Sequence, residues 1–194
     1  MARKKGSDTS NGNRFILCAH IDTKKNTPGA LDNAAGVAVL LALAERLQHY
    51  NGARDLEIVP FNGEDYYAVS GQMLYIKQND NRFEDVDMVI NIDAAGYKDS
   101  NTAVSFYNLT EDNTRKLLET ASEYPSIVQG EAWYEGDHSI FLQQGVPCMA
   151  VTSSNLHEGV MYLSHTPEDT LDKVNQALLE DLVEYLFRLV GAVT

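Results

Sequence analysis

Six residues of types that bind metal ions or move protons follow apolar segments along this chain. They are His20, Asp32, Glu64, Asp65, Asp93 and His165. The two histidines and three aspartates form a mixed nitrogen and oxygen donor set that suits zinc, with manganese or cobalt as alternatives. The remaining carboxylate, Glu64, is of a type that acts as a general base. Together, four carboxylates and two imidazoles would repel or desolvate one another without a cation, so the combination favours a metal centre.

Each of these residues also has an ordinary structural explanation. Asp32 lies where a loop becomes a helix, and an aspartate there commonly caps free backbone N–H groups. A single histidine is more often a hydrogen-bonded loop residue, and Glu64 with Asp65 would by themselves be a solvated acidic pair. Only the combination favours the metal interpretation.

The predicted secondary structure brings these residues to one edge of a sheet. Strands are predicted over Arg14–Ala19, Leu56–Phe61, Val86–Ile92, Thr102–Leu109, Ile127–Trp133 and Val146–Thr152. Helices are predicted over about Asn33–Tyr50, Ser70–Gln78, Glu111–Glu123, Asp137–Gln144 and from about Asp169 to Val190, the last one preceded by a loop that starts at Ser153. Strands alternating with helices indicate an α/β domain, in which ligands bind at the carboxyl ends of the strands. His20, Glu64 and Asp93 each follow such a strand end.

Composition limits the classes of partner and location. The 194 residues, 44% of them hydrophobic, predict a single domain with residues 1–13 as an N-terminal segment and loop. A net charge of −13 argues against a nucleic-acid partner. No apolar run would span a membrane and no signal peptide precedes the domain, which favours a cytoplasmic location. Cys18 and Cys148 are predicted to be buried free thiols, with one disulfide between them as the alternative, and the oligomeric state is not indicated.

Six short motifs in a characteristic order resemble peptidase family M28, the di-zinc aminopeptidases. They are Ala19-His20-Ile21-Asp22, residues 29–36 (GALDNAAG), Asn62-Gly63-Glu64-Asp65, residues 91–96 (NIDAAG), residues 136–141 (GDHSIF) and residues 165–170 (HTPEDT). The resemblance implies a three-layer α/β/α fold of the zinc-exopeptidase type, with a mixed, largely parallel central sheet. It also implies two zinc ions: one bound by His20 and Asp93, the other by Asp65 and His165, with Asp32 bridging them.

The resemblance further implies that Glu64 is the catalytic base in the hydrolysis of the N-terminal residue of a peptide. Asp22 corresponds to a carboxylate that is expected to orient the imidazole of His20. Asp137 and His138 are candidates for a supporting position behind the ligands, the alternative being a helix cap and a hydrogen-bonded histidine.

The expected substrate is a peptide with a free N-terminus, whose amine would bind near Asp93. The side chains of Phe141, Met161 and Tyr162 are candidates for the pocket of the N-terminal residue, the alternative being that they belong to the core.

Two features depart from the family pattern. Asp65 stands where the family usually has glutamate, so this ligand is one methylene shorter and its metal ion is expected to be held more weakly or to lie closer to the loop. The family's domain normally has a further helix and strand ahead of the segment matching Ala2–Lys5, so a trimmed or reduced form of the domain is expected.

Three other functions remain open at this stage. A glutaminyl cyclase-like acyltransferase shares the fold but uses a single zinc ion. An M20-type deacylase or carboxypeptidase is disfavoured, since such chains usually insert a lid domain between the positions of Asp93 and His165. A degenerate binding module of the same fold is the alternative that is not an enzyme.

Overall fold

A mixed seven-stranded sheet forms the centre of the molecule. The structure is a computed structural model and describes residues 1–7, 12–80 and 82–192. The strands are β1 (Ala2–Lys4), β2 (Arg14–His20), β3 (Asp55–Phe61), β4 (Val86–Ile92), β5 (Thr102–Tyr107), β6 (Ile127–Gln129) and β7 (Cys148–Ser153), in the order β1-β3-β2-β4-β7-β5-β6. The four central strands β3, β2, β4 and β7 are parallel, whereas β1 and β5 run antiparallel to their neighbours β3 and β7. The predicted α/β fold with a largely parallel sheet is confirmed.

Helices cover both faces of this sheet. They are α1 (Ala35–Arg46), α2 (Ser70–Gln78), α3 (Glu111–Ala121), α4 (His138–Leu142), α5 (Met161–Leu163) and α6 (Gln176–Ala192). Residues three or four apart share one face of a helix, so Val39 and Leu43 of α1 and Leu182 and Leu186 of α6 are buried together on one side of the sheet. On the other side, α2 and α4 cover a second apolar cluster.

The central strands are apolar along nearly their whole length because both of their faces are covered. Every residue of β2 is buried, as is every residue of β4 except Asp87. Cys18 in β2 and Cys148 in β7 are buried free thiols, as predicted.

The structure corrects two predicted element bounds. β6 ends at Gln129 rather than at Trp133. Beyond Gln129 the chain is bound to β5 by side chains instead of by backbone pairing: Ser105 Oγ donates a hydrogen bond to the Glu131 carbonyl, and Tyr107 Oη donates one to the Trp133 carbonyl. The last helix begins at Gln176, because the chain before it is held extended by backbone hydrogen bonds from Lys98 to Lys173 and from Asn175 to Gly96.

The segment predicted as a loop before the last helix contains local structure. A π-helical turn (Leu156–Val160) leads directly into α5, and a 3-10 turn (Leu171–Lys173) follows His165. In the part of the chain that the structure describes, none of the helices combines the length and the apolar character needed to cross a bilayer.

Candidate metal centre

The carboxyl ends of β2, β3 and β4 bring one group of possible ligands together. His20 is the last residue of β2, and Asp93 directly follows β4. His20 Nε2 lies 3.1 Å from Asp32 Oδ1 and 3.5 Å from Asp93 Oδ1. Donor atoms around a tetrahedral zinc ion lie about 3.3 Å apart, given zinc bonds of about 2.0 Å. The spacing of these three atoms therefore fits a shared zinc ion.

A second group lies on the other side of Asp32. His165 Nε2 lies 3.4 Å from Asp32 Oδ2 and 2.5 Å from Asp65 Oδ1. Asp32 belongs to both groups and directs one carboxylate oxygen toward each histidine. Among the residues described, these two groups are the clusters with donor atoms close enough to share a metal ion.

Asp32 does not cap the helix that follows it. It lies in a π-helical turn (Ala30–Ala34) with non-helical φ and ψ, its peptide bond to Asn33 is cis, and α1 begins only at Ala35 without a side-chain cap. The amide of Asn33 instead donates to the Ile92 carbonyl, and its oxygen accepts a hydrogen bond from the Gly36 N–H. A Cβ on Gly36 would lie 2.7 Å from the Ile92 carbonyl, so a glycine is required for this close approach of α1 to β4.

Glu64 completes the arrangement as the fourth carboxylate. Its Oε2 lies 3.9 Å from His20 Nε2, and its side chain is 19% exposed. Burial, reinforced by the charge of Asp93, raises the pKa of Glu64 to about 8. Burial together with the charge of Asp32 also raises the pKa of Asp65. Cations between these side chains would lower both pKa values.

The residues present fit a divalent metal. Both carboxylate oxygens of Asp65 are buried; Oδ2 has no hydrogen-bond partner, and Oδ1 contacts another candidate ligand, His165 Nε2, at 2.5 Å. A buried structural carboxylate normally accepts several hydrogen bonds, whereas a metal ligand needs free lone pairs. Nitrogen and oxygen donors in two groups that share a carboxylate are the chemistry expected of a zinc pair.

The carboxylate of Asp22 has a different position from the one expected. The imidazole of His20 is held by the backbone carbonyl of Asp22, 3.0 Å from Nδ1, while the nearest oxygen of the Asp22 carboxylate is 3.9 Å away. This carboxylate accepts hydrogen bonds from the backbone N–H groups of Gly63, Glu64 and Asp65. It therefore fixes the turn that carries Glu64 and Asp65 instead of orienting His20.

The other two predicted supporting residues have different surroundings. His138 is fully buried: its Nε2 donates to the Trp133 carbonyl and its Nδ1 accepts from the Asn91 amide. Both nitrogens are used, so His138 is a hydrogen-bonded core histidine. Asp137 makes no cap hydrogen bond to α4; it is buried, accepts a hydrogen bond from the Gln72 amide, and has its pKa raised to about 7 by burial, with the charge of Asp93 adding to the effect.

A cleft of about 190 Å³ opens beside the two ligand groups. Met161 lines it, as expected of a pocket residue, together with Trp133, Leu156 and Val160. Sequence reasoning missed these last three. The four-residue spacing of Leu156 and Val160 is a helical signal that could have identified that wall of the cleft.

The other two predicted pocket residues lie elsewhere. Phe141 is fully buried in the core beneath α2 and α4, with its ring 6.3 Å from that of Phe61 and 5.4 Å from that of Phe83, so it belongs to the core. Tyr162 is 76% exposed and is not among the residues lining the cleft.

A larger cavity, of about 450 Å³, lies near the opposite ends of the strands. Phe15 and Met88, near the starts of β2 and β4, form part of its wall. Its lining includes one carboxylate, Asp87, and no histidine. The cleft beside Asp32 is therefore the candidate site, despite its smaller volume.

Comparisons with known proteins identify the family of this chain. The model of peptidase family M28 matches residues 1–190. Aminopeptidase YwaD of Bacillus subtilis (strain 168) is 22% identical over an alignment of 186 residues, which covers 91% of this chain and 40% of that protein.

Solved structures with the same fold include enzymes of two kinds. BSAP, a zinc aminopeptidase from Bacillus subtilis, has a TM-score of 0.80 at 20% identity, with 98% of this chain and 48% of that chain covered. Glutaminyl cyclase from Porphyromonas gingivalis has a TM-score of 0.76 at 24% identity, with 95% and 73% covered. The chain spans about half the length of the aminopeptidases it matches. At these identities the likeness concerns the fold, whereas the family match extends over nearly the whole sequence: the chain belongs to peptidase family M28.

Proposed function

We propose that this chain is a metal-dependent aminopeptidase domain that removes the N-terminal residue of peptides. The observation that carries the proposal is the position of Asp32, whose two carboxylate oxygens lie 3.1 Å from His20 Nε2 and 3.4 Å from His165 Nε2. A carboxylate held between two histidines is suited to bridging two metal ions.

Five side chains would hold the ions. His20 and Asp93 would bind one, Asp65 and His165 the other, and Asp32 both. When bound, two zinc ions, or manganese or cobalt in their place, would supply Lewis-acid polarisation of the scissile carbonyl and activation of a water molecule.

Glu64 would move the proton. It lies in the same cleft, close to the His20 group but outside both ligand groups. A base must be ionised to accept a proton: burial raises the pKa of Glu64 in the metal-free protein, and bound cations would lower it again and keep the carboxylate ionised. Glu64 would take a proton from the attacking water and deliver it to the amine that leaves.

The cleft would bind the N-terminal residue. The carboxylates of Asp93 and Glu64 attract the α-ammonium group of a peptide. Leu156, Val160 and Met161 form an apolar wall for the side chain. We infer from these groups a peptide substrate with a free N-terminus. We also propose that residues 1–194 form a single catalytic domain, because the described strands all belong to one seven-stranded sheet.

Replacing Glu64 by Gln tests the proposed roles. The variant keeps the size of the side chain but removes the base, so kcat should fall by a factor of ~10² or more while zinc content stays at the wild-type value. The control is Glu158→Gln, an exposed position on the neighbouring turn, which should retain wild-type turnover. Loss of zinc from Glu64→Gln would instead make Glu64 a ligand and contradict its assignment as the base.

Glutaminyl cyclisation is the second candidate. It is favoured by the extent of the match to the Porphyromonas gingivalis cyclase, of which this chain covers 73%, compared with 48% of BSAP. The same Glu64 would then take a proton from the attacking amine of an N-terminal glutamine and pass it to the departing ammonia. A single bound zinc ion at saturation would support this candidate.

A further inference from the structure

Asp169 is a fully buried carboxylate with no part in the ligand groups. It follows His165 by four residues and lies just before the 3-10 turn that precedes α6. Its Oδ1 accepts a hydrogen bond of 2.7 Å from the Leu31 N–H, and its Oδ2 accepts one of 3.1 Å from the Asp32 N–H. The Ala30 N–H also donates to its backbone carbonyl, at 3.3 Å.

These bonds join two segments that are far apart in the sequence. Leu31 and Asp169 are 138 positions apart. Leu31 directly precedes the candidate ligand Asp32, and Asp169 lies four residues after His165. The N–H groups of Leu31 and Asp32 lie at the start of a turn, where no preceding helical carbonyl is available to them. A buried N–H group without an acceptor destabilises the fold, so the carboxylate favours this one backbone arrangement.

The segment between His165 and Asp169 is itself a closed turn. Thr166 Oγ1 donates to the Leu163 carbonyl and accepts from the Glu168 N–H, and the Asp169 N–H donates to the Thr166 carbonyl. A shift of Asp169 would therefore move His165 and the backbone of Asp32 relative to one another. Zinc coordination tolerates errors of only about 0.2 Å in bond length, so such a shift would weaken binding.

We propose that Asp169 is a positioning residue that fixes the bridging carboxylate of Asp32 relative to the imidazole of His165 through its hydrogen bonds to the backbone of Leu31 and Asp32. The inference rests on the proposed metal centre and adds to it a residue that touches neither metal nor substrate.

The test is zinc affinity in Asp169→Asn, measured by competition with a chelating dye. The amide keeps the volume of the side chain but can offer only one acceptor to the two N–H groups, so zinc affinity should fall ~10- to 100-fold, as it does when outer hydrogen-bond partners of metal ligands are lost. Glu168→Gln is the matched control: it removes one negative charge at the adjacent, exposed position and should keep its affinity within about twofold of wild type.

Zinc affinity separates positioning from simple support of the fold. A structural role would lower the melting temperature of metal-free Asp169→Asn but leave the zinc affinity of the folded protein unchanged, and that result would overturn the proposal. An equal loss of affinity in Glu168→Gln would also overturn it, because charge alone would then explain the effect.

A second measurement decides the matter if Asp169→Asn does not fold. In the metal-free wild-type protein, the amide hydrogens of Leu31 and Asp32 should exchange ~100-fold or more slowly than in an unstructured peptide, because their acceptor is in place before metal binds. Exchange at the unstructured rate would overturn the proposal.

Failure of the proposed function gives a different result. Wild-type protein that binds zinc but cleaves no peptide would refute the peptidase assignment alone, whereas wild-type protein that binds no zinc would refute both that assignment and the role of Asp169.

Discussion

Asp65 stands where the resemblance leads us to expect a glutamate, and the turn after β3 brings this shorter side chain close to His165. The sequence alone predicts a loosely held ion here, because an aspartate is one methylene shorter than a glutamate. In the structure the Asp65 N–H is anchored 3.2 Å from Asp22 Oδ2, and Asp65 Oδ1 reaches within 2.5 Å of His165 Nε2. The turn after β3 therefore brings the short carboxylate into direct contact with His165, closer than the ~3.3 Å expected between two ligands of one zinc ion.

Asp65→Glu should consequently weaken the site rather than restore it. The added methylene would enter a position that is 2% exposed, where extra volume forces neighbouring atoms apart. Titration with zinc should show lower affinity for the second ion in the variant. The control is Asp80→Glu, at an exposed position, which should bind as wild type does. Tighter binding by Asp65→Glu would mean that the turn has not adapted.

At the scale of elements, three segments that carry or adjoin candidate ligands are fixed by a polar side chain from a distant part of the sequence. Asp22 holds the turn of Glu64 and Asp65, Asn33 holds the end of β4, and Asp169 holds the turn of Asp32. The strands themselves are mostly parallel, which places their carboxyl ends along one edge.

Local patterns in the sequence predict the strands and their ends, and so the convergence of His20 with Asp93. They do not predict which distant backbone groups a carboxylate will bind. The partners of Asp22 lie about 40 residues away in the sequence, and Leu31, a partner of Asp169, lies 138 residues away. The burial of Phe141 depends in the same way on the packing of α2 and α4. These features depend on contacts between residues that are far apart in the sequence, so a short motif does not predict them.

β1 is fixed to the sheet by another buried carboxylate, Asp55. Its Oδ2 accepts hydrogen bonds from Arg3 Nη2 at 2.8 Å and from Lys5 Nζ at 2.9 Å. Burial opposes ionisation, but the hydrogen bonds from Lys5, the Gly6 N–H and Arg3 outweigh it and lower the pKa of Asp55 to about 2.

Asp55→Asn should therefore lower the free energy of unfolding at neutral pH, by about 2 kcal/mol if one charged hydrogen-bond set is lost. A lowered folded-state pKa stabilises above the unfolded value of about 4, and this contribution disappears as the pH falls through the folded value. The stability difference between wild type and variant should thus close between about pH 4 and pH 2, as urea denaturation at several pH values would reveal. The exposed control Asp80→Asn should have nearly the same free energy of unfolding as wild type at every pH. If the free energy of unfolding of Asp55→Asn stays lower than that of wild type by a constant amount down to pH 2, the ionic contribution is refuted.

At the scale of the whole molecule, four of the 28 acidic residues of this chain lie together at one sheet edge. The net charge is −13, and four carboxylates lie together beside two histidines. Repulsion among them destabilises the metal-free fold, and bound cations would relieve it.

Zinc should therefore raise the melting temperature. A ligand at about 100 times its Kd adds ~2.7 kcal/mol per site, which corresponds to roughly 5–10 °C for a chain of this size. Differential scanning fluorimetry with zinc and with a chelator measures the shift, and Asp32→Asn should lose most of it because both sites share this residue. Equal melting temperatures of the wild-type protein under the two conditions would argue against a metal centre.

The most direct test of the proposed function is mass spectrometry of one peptide with an N-terminal glutamine, incubated with the zinc-loaded protein beside its N-acetylated copy. We predict that the free peptide loses its whole N-terminal residue, that the acetylated peptide stays intact, and that a chelator stops the reaction. Loss of ammonia alone from the free peptide would identify a cyclase, and an unchanged peptide in the presence of bound zinc would contradict the assignment as an aminopeptidase.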